Sequence, residues 1–202
     1  MNAVVIDYGM GNVASVKKAL DFLNIPNQLS SEISIIQDAT HLILPGVGSF
    51  YQGMQNLHER NLTKILKTEV LVKNKPLLGI CLGMQLLAEK GNEPIECEGL
   101  GVIRGEVLKI TDKNYRIPHL GWNNITIKKK SNFNEFDGKD FYFIHSYHFL
   151  ATDSSDILAT VDYGNEYVAA IEKQHILATQ FHPEKSQEAG LKFLSHFFTK
   201  NA

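Results

Sequence analysis

The sequence predicts an α/β fold: a mostly parallel central sheet flanked by helices, with an antiparallel β section added to it. Three observations carry this. In the first half, apolar strand-like runs alternate with Gly-containing turns and stretches of helical periodicity, the pattern of a parallel sheet. Those runs are continuously apolar rather than alternating, as strands covered on both faces require. In the second half the pattern changes to successive strand-like segments joined by short connections containing Gly, Asn or Asp.

The elements follow in order. "AVVIDYG" is a first strand ending at Gly9, after which Val13, Val16, Leu20 and Leu23 recur at helical spacing until Pro26 stops the helix. "HLILPGVGSF" repeats the form, an apolar strand running into a Gly-rich turn, and Leu57, Ile65, Leu66 and Val70 mark the helix that follows. "KPLLGIC" is a third buried strand, which passes into a helix beginning near Leu82. Beyond it, "LGVIRGEVLKI", "NNITIKK", "DFYFIHSYHF", "DILATVDY", "YVAAIEK" and "HILATQFH" read as strands. From Gln187 to Lys200, Leu191, Leu194 and Phe198 share one face of a closing helix. The run Lys128 to Lys130 suits a solvated strand edge. No repeat, linker or low-complexity segment divides the chain, so one domain over residues 1–202 is expected.

Composition narrows the class. With 202 residues, 44% hydrophobic and 21% charged, the chain is of ordinary globular make-up and long enough for a sizeable core. A net charge of −2 lacks the basic excess that nucleic-acid binding needs. The N-terminal stretch has neither the basic nor the apolar region of a secretory signal, and no apolar run reaches the length of a membrane span. Two cysteines, Cys81 and Cys97, make no disulfide framework in a chain this size, so reduced thiols and a cytoplasmic location are expected. There is no P-loop, no dinucleotide fingerprint and no metal-ligand cluster, so no cofactor or metal is expected.

The chemistry concentrates at Cys81. "GICLG" has the form of a nucleophile elbow: Gly79 and Gly83 let strand and helix approach closely around a strained turn. The turn lies at the carboxyl end of a parallel strand, where open α/β sheets bind ligands. A helix N-terminus aimed at the sulfur favours thiolate. Taken alone, Cys81 is equally readable as a small buried residue. A thiol nucleophile also needs a base and a group to orient it. "QFHPEKS" supplies both: in extended chain, His182 and Glu184 lie on one face, and the carboxylate fixes the tautomer that leaves a ring nitrogen free. Acyl transfer further needs oxyanion donors, and the Leu82 N–H and the backbone of "PGVG" at 45–48 are the candidates. Cys97, in "PIECEG", has neither elbow nor base.

Cys81 in "GICLGMQLL", followed a hundred residues later by "HPE", resembles the class I (triad) glutamine amidotransferases over the whole chain. "DYGMGN", "LPGVGSF", "PHLGWN" and "FIHSYHF" look like the branch that serves as glutaminase subunits of imidazole glycerol phosphate synthase, in histidine biosynthesis. That resemblance implies a flavodoxin-like core and a heterodimer with a cyclase (synthase) subunit. It implies hydrolysis of L-glutamine through a Cys81 thioester, with His182 as base and Glu184 orienting it. Gly46, Val47 and Leu82 would surround the oxyanion, and Gln85, with backbone near Ser146 and Tyr147, would hold the glutamine. Asn12, Tyr142, Lys185 and Trp122 would face the cyclase around the ammonia passage. Three other readings remain. A paralogous subunit would supply a sugar-amidating synthase of surface-polysaccharide pathways with the same chemistry. A stand-alone cysteine peptidase or γ-glutamyl hydrolase would leave "DYGMGN" and "PHLGWN" unexplained. A non-catalytic subunit would not keep a triad.

Overall fold

Val4 and Ile6 face one way in the first strand, Ala3 and Val5 the other, and all four are fully buried between two separate hydrophobic clusters. That is the structural meaning of a continuously apolar strand: both sides of the sheet are covered. The structure, a computed structural model, describes residues 1–111 and 114–200.

The first half runs β1 (Ala3–Ile6), α1 (Val13–Phe22), β2 (Asn27–Ser30), α2 (Ile33–Asp38), β3 (His41–Gly46), α3 (Phe50–Glu59), α4 (Leu62–Lys67), β4 (Leu77–Cys81) and α5 (Leu82–Gln85). Then come the two-residue β5 (Lys90–Gly91) and β6 (Cys97–Glu98), followed by β7 (Gly105–Lys109), β8 (His119–Ile127), β9 (Asp140–His145) and β10 (Tyr147–Ala151). β11 (Ile157–Asp162), β12 (Glu166–Lys173), β13 (Ile176–Thr179) and α6 (Gln187–Lys200) complete the chain.

The main sheet has nine strands in the order β2-β1-β3-β4-β13-β12-β11-β8-β9. The first five are parallel, in the order of a flavodoxin-like sheet. From β13 onward every pairing is antiparallel, so the added section continues the same sheet and matches the parallel half in its number of pairings. α1 and α6 cover one face, through Val16, Leu20, Phe193, Leu194, Phe197 and Phe198. Residues of α2, α3, α4 and α5 cover the other, with Ile36, Phe50, Leu57 and Leu66 fully or almost fully buried. Each such large side chain contributes about 1.5–3 kcal/mol on burial. Among the described residues no helix is long and apolar enough to cross a membrane.

Several local expectations change. β2 and α2 have no counterpart in the sequence reading: β2 is largely polar, and α2, though it carries Ile33, Ile35 and Ile36, is only six residues long. The helix expected through Leu57 and Val70 is broken: Asn61 takes a left-handed conformation at φ 58°, and Thr68–Val72 widens into a π-helical turn. The widened turn accompanies a buried carboxylate, Glu69, whose two oxygens each lie 2.8 Å from an ammonium, of Lys73 and of Lys75. "FYFIHSYHF" is two strands rather than one, parting at Ser146: β9 ends the main sheet, and β10 joins a second sheet of order β10-β7-β5-β6. β13 pairs parallel with β4 and belongs to the core rather than the appended section. In α6 the buried face is Phe193, Leu194, Phe197 and Phe198, and Leu191 is only half-buried. In the Lys128–Lys130 run, Lys128 pairs with Glu166 and Lys129 donates to the carbonyls of Ser155 and Glu172, while Lys128 and Lys130 remain exposed.

Candidate active site

β4 passes into α5 at Cys81, whose backbone sits at φ 54°, ψ −110°, outside the regions ordinarily open to a residue with a Cβ. The surroundings hold it there. A Cβ on Gly83 would stand 1.7 Å from the Leu44 carbonyl oxygen, and one on Gly79 3.0 Å from the Gly83 oxygen and the Met84 nitrogen. Glycine at both positions lets α5 press onto β3 and β4, and the cysteine between them is forced to the tip. α5 itself is one turn, far shorter than the helix expected. The carbonyls of Leu86, Leu87, Ala88 and Glu89 accept from the N–H groups of residues 99–103, so the chain leaves the helix to pair elsewhere. Gln85 is therefore the last residue of this turn.

His182 reaches the sulfur from the end of β13. Its N–H donates to Tyr142 O at 2.9 Å, which ties it to β9. Its Nδ1 lies 2.8 Å from Glu184 Oε1, and both side chains are almost wholly buried. The pairing arises differently from the extended-chain expectation: Pro183–Lys185 is a 3-10 turn that folds Glu184 back under the ring. Because the carboxylate only accepts, Nδ1 carries the proton, and the neutral ring presents Nε2 as a base. Nε2 is buried and makes no hydrogen bond of its own. Burial disfavours charge on His182, yet the adjacent Cys81 sulfur and the Glu184 carboxylate outweigh it and raise its pKa from 6.5 to about 10.

Gly46 stands directly opposite Cys81 in the β3–β4 register. It is held closely. A Cβ there would meet the Tyr8 hydroxyl at 2.3 Å, and that hydroxyl donates to Pro45 O at 2.7 Å. Burial, then the Cys81 charge, pushes the Tyr8 phenol upward, so it stays protonated as that donor. Val47, next along, is 40% exposed, and Leu82 opens α5, where first-turn N–H groups lack intrahelical partners. Val47, Leu82, Cys81, Gln85, Ser146 and Tyr147 all line one cavity of about 180 Å³, of amino-acid size. A larger, open hollow of about 830 Å³ lies on the second sheet beside Glu89, Lys90 and Cys97 and contains none of these residues. Burial pushes the Cys97 thiol up, which keeps it protonated and unreactive.

Polar contacts around the cavity differ in detail from expectation. Gln85 is expected to hold substrate, but its Nε2 is already engaged, donating to Tyr147 O and to Gln180 Oε1, each at 3.0 Å. Gln180 is fully buried, and its Nε2 lies 3.8 Å from the Cys81 sulfur. Sequence reasoning missed it, although residues 180 and 182 flank Phe181 at the same-face spacing that draws attention to His182. His145, in the "FIHSYHF" motif, donates from Nδ1 to Tyr147 O at 2.8 Å and faces His119 through Nε2 at 3.0 Å. Asn12 turns toward the triad: its Nδ2 donates to Glu184 Oε1 at 3.3 Å, and its own Oδ1 accepts from Ser15 at 2.7 Å. Trp122 and Tyr142 oppose each other across β8 and β9, rings 6.0 Å apart, and the Lys185 ammonium lies 5.9 Å from the Tyr142 ring. These three sit at the outer rim, with Leu120, Trp122 and Ile144 exposed by 58%, 49% and 40%.

Comparison with known proteins gives a consistent result. The family model for "Glutamine amidotransferase class-I" matches residues 4–201. A relative from Campylobacter jejuni (strain RM1221), named imidazole glycerol phosphate synthase subunit HisH 1, is 48% identical over 196 residues, covering 96% of this chain and 97% of the relative. The subunit HisH of that synthase from Aquifex aeolicus (strain VF5) is 46% identical, covering 99% of this chain and 97% of its own. Among solved structures, a glutamine amidotransferase crystal structure superposes with a TM-score of 0.78 at 20% identity, covering 98% of both chains. A glutamine amidotransferase from Thermotoga maritima gives 0.68 at 17% identity, covering 99% of this chain and 83% of that one. At those identities the structural likeness concerns the fold.

Proposed function

The chain belongs to the class-I glutamine amidotransferases, and from that premise we propose that it is the glutaminase subunit of an imidazole glycerol phosphate synthase. In this role it hydrolyses L-glutamine to L-glutamate and ammonia and passes the ammonia to a cyclase subunit in histidine biosynthesis. The observation that carries the reading is the Cys81–His182–Glu184 constellation, whose Cys81 stands on the wall of an amino-acid-sized cavity. The two relatives' names and their near full-length coverage support the choice of synthase.

The chemistry follows from the geometry. The Cys81 thiolate attacks the side-chain carboxamide carbon of glutamine, and the C=O electrons move to oxygen. The N–H groups of Leu82 and the Gly46–Val47 segment face that oxyanion. His182, protonated at Nε2, gives its proton to the departing nitrogen, so ammonia leaves and a γ-glutamyl thioester remains. Water, deprotonated by the now neutral Nε2, attacks the thioester; glutamate leaves and the thiolate–imidazolium pair is restored. Glu184 stabilises the imidazolium whenever it forms, and Asn12 holds Glu184.

Ammonia in water near neutrality is mostly ammonium, so release into solvent would waste it. The rim formed by Leu120, Trp122 and Ile144 is an apolar surface beside the cavity mouth, suited to a docked cyclase. The test uses the assembled synthase. Cys81→Ala is expected to abolish glutamine-dependent turnover while added ammonium salt still supports product formation, and Cys97→Ala to retain glutamine use. Glutamine hydrolysis at the wild-type rate in Cys81→Ala would overturn the assignment.

A further inference from the structure

Gln180 is fully buried beside the nucleophile, and the bonds around it fix which end of its amide meets the sulfur. The chain of constraint starts at Tyr147 O, which can only accept. It lies 3.0 Å from Gln85 Nε2, so the nitrogen end of that amide points there. The same nitrogen is 3.0 Å from Gln180, and its remaining hydrogen requires an acceptor, which must be Oε1. The nitrogen of Gln180 is then turned the other way, and it stands 3.8 Å from Cys81 Sγ. A backbone neighbour of the sulfur, Ile144 O at 3.9 Å, is an acceptor and opposes negative charge there. Gln180 therefore meets the sulfur as a donor, whereas Ile144 O meets it as an acceptor.

We infer that Gln180 is a further catalytic residue, whose side-chain N–H, locked toward Cys81 by the Tyr147–Gln85 chain, stabilises the thiolate form of the nucleophile. A neutral donor facing an anionic acceptor makes the stronger class of hydrogen bond, and in a dry site that strength is not diluted by water. No proton is transferred through Gln180. Its effect is on how much of the sulfur is thiolate when glutamine arrives. The inference rests on the reading of Cys81 as the nucleophile.

The experiment reads the sulfur directly, without glutamine. The full chain and its Gln180→Leu and Gln180→Met variants are alkylated with iodoacetamide across a pH series, with near-ultraviolet circular dichroism reporting folding. Both variants keep the side-chain bulk and lack the N–H. The alkylation profile is expected to move to higher pH, and the neutral-pH rate to fall about tenfold, the scale of one hydrogen bond to a charged group. With the partner present, kcat for glutamine is expected to fall similarly while KM moves little, whereas a packing defect disturbs both. Because a buried substitution can unfold the chain, the wild-type protein supplies a second reading: the Gln180 side-chain amide resonances should shift when Cys81 is alkylated. An unchanged profile in folded variants, or amide signals that do not respond, overturns the inference. Absence of glutaminase activity in the wild-type complex would instead defeat the functional reading and leave the sulfur–amide contact to stand on the alkylation data.

Discussion

Gly79, Gly83 and the cysteine midway between them show how local backbone geometry becomes chemistry. Cys81 keeps a positive φ because β4 and α5 are clamped on either side of it, and the clamp is the absence of side chains at Gly79 and Gly83. The two are not equally demanding. A Cβ on Gly83 would overlap a backbone carbonyl, Leu44 O, which has no rotamer to escape into. Gly53, in the middle of α3, would present its Cβ to the flexible ends of Leu86 at 3.1 Å. Gly83→Ala is therefore expected to destabilise by about 3–5 kcal/mol, as a core overpacking at the severe end of single substitutions. Gly53→Ala should lie within about 1 kcal/mol of wild type, because the helix-propensity gain offsets the push on Leu86. Urea unfolding of both checks this, and equal losses would mean that the clamp at Gly83 is softer than the geometry implies.

At the scale of elements, the site is an assembly of strand ends. β3 brings Gly46, β4 brings Cys81, and the segment after β13 brings His182, all at the carboxyl side of parallel strands. β8 and β9 supply the outer wall, cross-linked inside by His119 and His145, which oppose each other in register. Tyr147 O fixes the His145 proton on Nδ1, so its Nε2 accepts from His119 Nδ1. This bridge needs His145 neutral. Burial pushes His119 from 6.5 down to about 4 and His145, flanked also by His119, His148 and His182, down to about 3. Both rings refuse protons that the unfolded chain would take up. Their contribution is thus complete above about pH 6.5 and is lost as pH falls toward 4 and then 3. His182 has the opposite sign: its raised pKa stabilises the fold below 6.5, and that contribution disappears as pH rises toward 10. A melting temperature that declines on both sides of neutrality is expected. His119→Gln, which keeps a donor for His145 and removes one titrating ring, should flatten the acid side alone. An acid side unchanged in that variant would assign the loss to other groups.

At the scale of the whole molecule, the cavity holds a hydrolytic centre and opens beside an apolar rim. Leu120, Trp122 and Ile144 are exposed on the outward face of β8 and β9, and Ile144 also lines the cavity, so a partner seated there would touch the site it depends on. Aromatic side chains at the centre of such a patch carry a disproportionate share of binding energy. Trp122→Asp is expected to weaken cyclase binding by at least about tenfold while leaving the melting temperature of the isolated chain near wild type, since half of the residue is already in water. Isothermal titration with the cyclase measures it, and unchanged affinity would move the docking face elsewhere. The same architecture predicts that the isolated chain is a slow glutaminase. Val47 is exposed and followed by Gly48 at φ 114°, so this end of the oxyanion segment is free to respond to a partner, while Tyr8 and Leu82 crowd Gly46. One misplaced donor costs roughly 10²–10³ in rate. Steady-state assays should therefore show partner and nucleotide raising kcat much more than they change KM, and full activity in the lone chain would exclude this control.

The sequence by itself determined the covalent pattern and three of the five parallel strands, β1, β3 and β4. Continuous apolar runs, the Gly-x-Cys-x-Gly bend and "HPE" are local signals, each legible within a few residues because sterics and side-chain type act over that range. Trp122, Tyr142 and Lys185 drew attention only through the family resemblance of their motifs, not through local sterics. Only the tertiary structure decided what depends on distant partners. α5 stops after one turn where residues 99–103 take the carbonyls of Leu86–Glu89 just beyond it, which no helical periodicity records. "FYFIHSYHF" splits between two sheets at Ser146, where the chain bends to line the cavity. His182 meets Glu184 through a 3-10 turn, Asn12 reaches that carboxylate across 172 positions, and Gln180 reaches Cys81 across 99. The difference is physical: periodicity reports which face of an element is apolar, whereas a hydrogen bond between remote side chains exists only after the sheet has set their separation.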